Sequence, residues 1–341
     1  MMRVSGPTIA DIARAAEVST ATVSHALNGT GRIGEATRRR VREVATGLGY
    51  GSHRTPRTRT RSLGLAVTTY AGLAWNFVEV AYFSRWLTAA TAAAHVHGFA
   101  LTTLPAERGA ETLWHTLAVD GMLLLDSPEG DPVLRALRAR GVPVVFDGRP
   151  ADPRPGDIWV DNDHAATTRE VLDHLAAAGA RRIALHSGYG REYYTHAVTQ
   201  AYEHWCTERG QVPLLIPFGP DDRVGRAFDP ALATAARRPD AVYTVYDPGG
   251  RQLLAAAARH GLRVPDDLLL VCASEDPGYA EGELEVSTVT LNPEWTARSA
   301  VSALVALVES GQAGPPGQLT VPAGLRVRAS SQPPVVRCQR S

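Results

Sequence analysis

Cysteine is scarce in this 341-residue chain. Cys206, Cys272 and Cys338 are odd in number and far apart, which excludes a disulfide framework and any metal site built on cysteine spacing. That usage fits a reducing, cytoplasmic setting. Lysine is missing altogether: all 35 basic residues are arginine, a bias of composition rather than a functional signal. No segment approaches the roughly 20 apolar residues that a bilayer span needs, so no membrane partner is expected. Arg3, Asp11 and Arg14 break up the N-terminus before a secretory signal could form. No repeat of solenoid period is evident. Net charge is also nil, with 35 basic against 35 acidic residues, yet it is unevenly spread. Residues 1–61 hold 11 Arg against 4 acids, a balance of +7, and the remainder holds 24 against 31, a balance of −7. A small basic head on an acidic body points to a polyanion partner for the head alone. The length and the 44% hydrophobic content call for two or three domains with proper cores.

The head reads as three short helices. Thr8 can cap the first, with Asp11 in the reciprocal capping-box position. Ile9, Ile12, Ala13 and Ala16 then form one apolar stripe. Glu17-Val18 leaves room only for a tight turn before Ser19 caps a second helix, which runs to about Asn28 and stops at Asn-Gly. In that helix Val23, Ala26 and Leu27 face inward, while Thr20, Ala21, Ser24, His25 and Asn28 share a small, polar outer face. A third helix from about Glu35 to Leu48 buries Val41, Val44, Ala45 and Leu48 and exposes Arg38, Arg39, Arg40 and Arg42. Two short helices on a tight turn, braced by a third, make a helix-turn-helix.

The register of these residues resembles the LacI family of transcriptional regulators. It is carried by Thr8-Ile-Ala-Asp-Ile-Ala, Val18-Ser19-x-x-Thr22-Val23-Ser24-His25-x-Leu27-Asn28, Thr37-Arg38 and Leu48-Gly49-Tyr50. The resemblance implies that Thr8, Ser19, Thr22, Ser24 and Asn28 hold phosphates of a double-stranded DNA operator. It also implies that Thr20, Ala21 and His25 face base edges in the major groove. Relatives often carry Arg where His25 stands, so a bidentate guanine contact is not carried over. Relatives also continue with a short helix bearing a groove-wedging Leu. Residues 51–61 here are shorter, lack Leu and contain Pro56 among alternating Thr and Arg. Arg54, Arg57, Arg59 and Arg61 either contact DNA electrostatically or belong to a plain linker.

From residue 62 short apolar runs alternate with amphipathic stretches. Strands are expected at Leu63–Val67, Ala100–Leu104, Gly121–Leu125, Val142–Phe146, Ile158–Val160, Ile183–His186, Ala241–Val245 and Leu268–Cys272. Helices are expected at Val78–His97, Asp163–Ala178, Tyr194–Arg209, Gly249–Gly261 and Glu294–Ser310. The fold class is therefore α/β: two Rossmann-like parallel-sheet lobes preceded by a small all-α helix-turn-helix domain. By resemblance, the body is similar to periplasmic sugar-binding proteins, and the chain crosses three times between lobes. The expected domains are 1–50 for DNA binding, 51–61 as hinge linker, 62–330 for effector binding and dimerisation, and 331–341 as a tail. Within the body the first lobe takes about 62–160 and 290–319, and the second about 161–289 and 320–330.

Ligands of open parallel sheets bind beyond the carboxyl ends of strands. Strand ends supply Tyr70, Asp126, Ser127, Asp147, His186, Tyr246, Asp247 and Ser274. Tyr82 and Phe83 resemble an aromatic contact pair of purine-type relatives. His196 stands where relatives often place an Arg clamp, and Ser274 where the last strand usually ends in Asp. The expected effector set is Tyr82, Phe83, Ser127, Asp147, His196, Tyr246, Asp247 and Ser274, for a sugar or nucleobase-like molecule. Each residue taken singly can equally be a cap or loop polar group. His186-Ser187 lacks the glycine elbow of a hydrolase nucleophile, and Gly188-Tyr-Gly190 lacks the rest of a phosphate loop. Asp161, Asp163 and His164 sit where caps belong rather than metal ligands, so neither an enzyme nor a metal or cofactor is expected. The sequence thus reads as a homodimeric regulator, and as a repressor rather than an activator. The alternatives are a ligand-binding protein with a degenerate head and an effector-independent regulator.

Overall fold

The computed structural model describes residues 8–28, 33–47, 60–68, 77–103, 113, 116–188, 192–219, 221–310 and 317–332, with backbone alone at 28, 46 and 47. The chain divides into two units, residues 1–59 and 60–341. In the first, α1 (Ile9–Ala15), α2 (Thr20–Asn28) and α3 (Glu35–Gly47) close on Ile12, Ala13, Ala16, Val23, Ala26, Val41 and Ala45. These positions recur at helical spacing, so each helix has one side to bury.

The second unit holds two six-stranded sheets. The first comprises β1 (Ser62–Val67), β2 (Ala100–Thr103), β3 (Gly121–Leu125), β4 (Val144–Asp147), β5 (Ile158–Asp161) and β11 (Gly317–Thr320), all parallel. The second comprises β6 (Ile183–Ser187), β7 (Leu215–Pro217), β8 (Ala241–Thr244), β9 (Leu269–Ala273), β10 (Ser287–Thr290) and β12 (Gly324–Arg326). Only the β10–β12 pair in it is antiparallel.

Strand alternation decides what packs where. In the first sheet Leu63, Leu65, Leu123 and Leu125 face α4 (Ala81–Val96) and α11 (Pro293–Ser310). Ala66, Met122, Leu124 and Phe146 face α5 (Pro132–Ala139) on the other side. In the second sheet Leu185, Tyr243 and Val271 meet α6 (His164–Ala177) and α7 (Tyr193–Glu208). Ala184, Val242, Leu270 and Cys272 meet α9 (Asp247–Arg259) and the short α8 (Asp229–Leu232) and α10 (Gly278–Glu281). Sheets covered on both faces need continuous apolar strands, as these are.

Four strands were not expected: β7, β10, β11 and β12. β11 is largely exposed, and β10 reads Ser-Thr-Val-Thr. Its hydroxyl Ser287 is buried because the distant Ser331 and the Arg328 carbonyl satisfy it. Helix α5 is likewise unforeseen, although Asp131 caps it and Pro132 opens it. No helix among the described residues is long and apolar enough to cross a membrane.

The chain passes between the sheets after β5, after β10 and after β11. One side chain gathers all three passages. Asn162, 5% exposed, donates from Nδ2 to the Leu291 carbonyl at 3.2 Å and the Val321 carbonyl at 2.8 Å. Asn292 adds a bond to the Pro322 carbonyl. Asn162→Ala strands two interior carbonyls and should cost about 1–3 kcal/mol of stability in urea unfolding, whereas an unchanged midpoint would remove Asn162 from this role.

Candidate nucleic-acid interface and ligand cavity

The head is built to present α2. Thr8 and Asp11 form the reciprocal cap of α1: the Thr8 N–H donates to Asp11 at 2.8 Å, and the Asp11 N–H donates to Thr8 Oγ1 at 3.3 Å. Glu17 takes a left-handed φ of 51° in the turn. Ser19 then receives the Thr22 N–H at 3.0 Å, and its hydroxyl meets that of Thr22 at 2.8 Å. Val23 and Ala26 are fully buried, which turns Thr20, Ala21 and His25 outward, with Ser24 half-buried beside them. Arg40, exposed as expected, also donates to the Ala16 carbonyl and so fastens α3 to the end of α1. Asn28 closes α2, and Arg54 and Arg57 lie outside the described residues. At the entry to the body, Asp120 accepts the N–H groups of Thr60 and Arg61 at 3.0 and 2.8 Å. The Arg61 guanidinium lies over the Phe99 ring, so it belongs to the body rather than to a DNA-seeking hinge.

Between the two sheets lies a cavity of about 260 Å³. Three neighbouring strands, β3, β4 and β5, each end at an aspartate on its rim: Asp126, Asp147 and Asp161. Tyr82 and Phe83 enter from the start of α4, and Tyr246, Asp247 and Ser274 from the ends of β8 and β9. Asn162 and His164 line it from the first passage between sheets. Tyr82 donates to Asp147 at 2.7 Å, and Tyr246 to Glu192 at 2.8 Å. Ser274 donates to Asp247, and His164 Nε2 lies 2.7 Å from Asp161. The Phe218 and Tyr246 rings lie 4.5 Å apart at 32°, a shelf for the flat face of a ring.

Of the residues expected here, Tyr82, Phe83, Asp147, Tyr246, Asp247 and Ser274 line the cavity, and two do not. Ser127 is buried beneath it, its hydroxyl donating to Asp131, the cap of α5. His196 is exposed on α7, because Glu192 and Thr195 take the inward side of that turn and the next residue rotates away by about 100°. His186 packs on Phe218 and Phe228 instead of lining the space. Tyr70 lies outside the described residues. Asp163 caps α6 by accepting the Ala166 N–H at 2.9 Å. Glu192 and Phe218 went unforeseen. Glu192 precedes a helix with no strand end to mark it, and Phe218 follows the unforeseen β7.

Crowding sets the electrostatics. Burial pushes the Asp147 carboxyl up to about 7, with the hydrogen bond from Tyr82 opposing. Asp126 is likewise raised well above its ordinary value, first by burial and then by the charges of Asp147, Glu192 and Asp161. Burial also raises Asp247 and Glu275, against the bonds they receive from Ser274 and Thr290. His186 is pushed down to about 4 by burial and stays neutral.

Comparison with known proteins follows the same division. Residues 8–52 match the family of bacterial regulatory proteins, lacI family, and residues 172–331 match a periplasmic binding protein-like domain. The chain is 29% identical over 353 residues to the HTH-type transcriptional regulator CelR of Thermobifida fusca, covering 97% of this chain and 100% of that one. It is 29% identical to the transcriptional repressor PurR of Escherichia coli O1:K1 / APEC over 284 residues, covering 77% and 79% of the two. A solved CelR–cellobiose complex matches with a TM-score of 0.70 at 25% identity, over 95% of this chain and 99% of that one. The lac repressor dimer bound to operator and the anti-inducer ONPF shares the fold at 19% identity and a TM-score of 0.67, over 96% and 100%. These relatives are transcriptional regulators, not enzymes.

The raised Asp147 carboxyl fixes the sign of a pH effect. Between its ordinary value of 3.8 and about 7 the folded state holds a proton that the unfolded state has lost. Stability is therefore greatest below that window and falls as pH rises through it. Asp147→Asn should flatten the decline between pH 5 and 8 by on the order of a few kcal/mol, read from urea midpoints, and an unaltered slope would refute the assignment.

Proposed function

We propose that this chain is a regulator of the LacI family, whose model its residues 8–52 match, and that it acts in the cytoplasm as a homodimeric repressor. Its DNA-binding regulatory role is that of the family. The finer reading is that two heads occupy successive major grooves of a pseudo-palindromic operator, with half-sites roughly 10 bp or a multiple apart. The observation that carries it is the outward face of α2, where Thr20, Ala21, Ser24 and His25 stand on a helix whose other side is packed. Ser19 and Thr22 at its start offer hydroxyls suited to phosphate, and the short outer side chains let the helix approach base edges closely.

The cavity supplies the control. Its walls come from both sheets, so a sugar or nucleobase-like effector touching both favours one separation of the lobes over another. Such preferences couple ligand and DNA by about 1–3 kcal/mol in regulators of this kind. CelR in complex with cellobiose, and the lac repressor dimer on its operator, are the precedents that support effector and dimer respectively.

Gel-shift titration against DNA selected from a random pool tests the reading. Binding that depends on about 6–10 phosphate contacts should weaken by about 10³–10⁵ between 50 and 200 mM salt, whereas a flat response would contradict it. His25→Ala should change the selected bases, while Arg57→Ala should weaken all sequences alike and reduce the salt slope by about 1. The reverse pattern would overturn the division of contacts.

A further inference from the structure

The cavity holds more carboxylate than its own walls neutralise. Asp126, Asp147 and Asp161 stand on one lobe's strand ends, and Glu192 and Asp247 face them from the other lobe. Among the described lining residues His164 is the only basic side chain, and Asp161 already holds it. The Arg85 guanidinium is engaged by Glu275 at 2.9 Å and Glu294 at 2.6 Å. Asp147, Glu192 and Asp247 accept the hydroxyls of Tyr82, Tyr246 and Ser274, and the Arg251 guanidinium near Asp247 is already held by Asp276. A hydroxyl occupies one lone pair and leaves the charge in place. Asp126 has no side-chain hydrogen bond or ion pair among the described residues, and it lines the cavity directly.

A ligand must answer this surplus. An anion is repelled. A neutral polyol brings only more hydroxyls, and the buried charges remain unpaid for unless they take up protons. A protonated amine brings three donors and a positive charge, which two carboxylates can share. The aromatic shelf of Phe218 and Tyr246 favours the same charge, because ring faces attract cations.

We propose that the ligand of this cavity is a sugar-sized ring compound carrying a protonated amine, with the ammonium between Asp126 and Asp147 and the ring against Tyr246 and Phe218. The proposal rests on the reading of the cavity as the effector site and gives that effector a chemical class. Asp161 adds field rather than a bond, since the N–H groups of Asn162 and Arg149 and the His164 ring already occupy its oxygens.

The test uses three disaccharides with one frame: cellobiose, the β-1,4-linked glucosamine disaccharide, and the N-acetylated form of the latter. Calorimetry on the full chain should show the amine form binding at least about tenfold tighter than either neutral form, the range expected when a hydrogen bond gains a charge. Asp126→Asn should remove most of that preference, and a preference that survives the substitution intact would overturn the placement of the ammonium. If cellobiose or the acetylated form binds as tightly as the amine, and Tyr246→Ala weakens it, the effector reading stands and the amine proposal falls. If none of the three binds, or binding ignores Tyr246→Ala, both fall. The comparison among sugars on the unaltered chain decides the amine question even where a variant fails to fold.

Discussion

The buried Asn162 amide ties together the three chain passages that join the two sheets of this protein's body. Each sheet has its own core, and the Asn162 side chain reaches from the first passage to a carbonyl on each of the others, with the Arg85–Glu275 ion pair a further link between the lobes. Those bonds sit at the edge of the cavity, since Asn162 also lines it. At this hinge the Leu291, Val321 and Pro322 carbonyls are satisfied by asparagine side chains, without drawing on the core of either lobe. The cost of breaking it is modest beside the burial in either core, where each fully buried Leu or Ile contributes about 1.5–3 kcal/mol. The hinge therefore governs the relation of the lobes more than their folding.

The same topology that creates the hinge loads the cavity. Parallel strands β3, β4 and β5 end side by side, and each ends in an aspartate. Burial raises the proton affinity of Asp126 and Asp147, and neighbouring carboxylates add to it. Carboxyls buried this way favour a counterpart, either a proton or a ligand group that donates to them. In the proposed function this gives a ligand a physical reason to prefer one arrangement of the lobes, since Glu192 and Asp247 of the second lobe face the first lobe's aspartates across the cavity.

Much of this was legible in the residues, and the failures share a cause. The helices α4, α6, α7, α9 and α11 announce themselves by apolar residues at helical spacing, and the central strands by unbroken apolar runs. The strand Ser287–Thr290 does not, because its hydroxyls are satisfied by Ser331 and Arg328, some forty residues away. Local pattern cannot register a partner supplied by topology. The site divides likewise. Asp147, Tyr246, Asp247 and Ser274 follow strands and were readable once the strands were. His196 failed by one position on a helix, where a single residue turns a side chain from cavity to solvent. Phe218 depended on a strand too short to see.

The central claim is that the cavity and the DNA-binding face are energetically linked through the lobes. Linkage is reciprocal, so the direct measurement is a closed cycle on the full chain. Operator affinity is determined with and without a saturating disaccharide, and disaccharide affinity with and without saturating operator. The account predicts the same factor in both directions, about 5–150-fold, and its reduction in Asn162→Ala. A factor of one on both sides of the cycle, with both ligands bound, would contradict it.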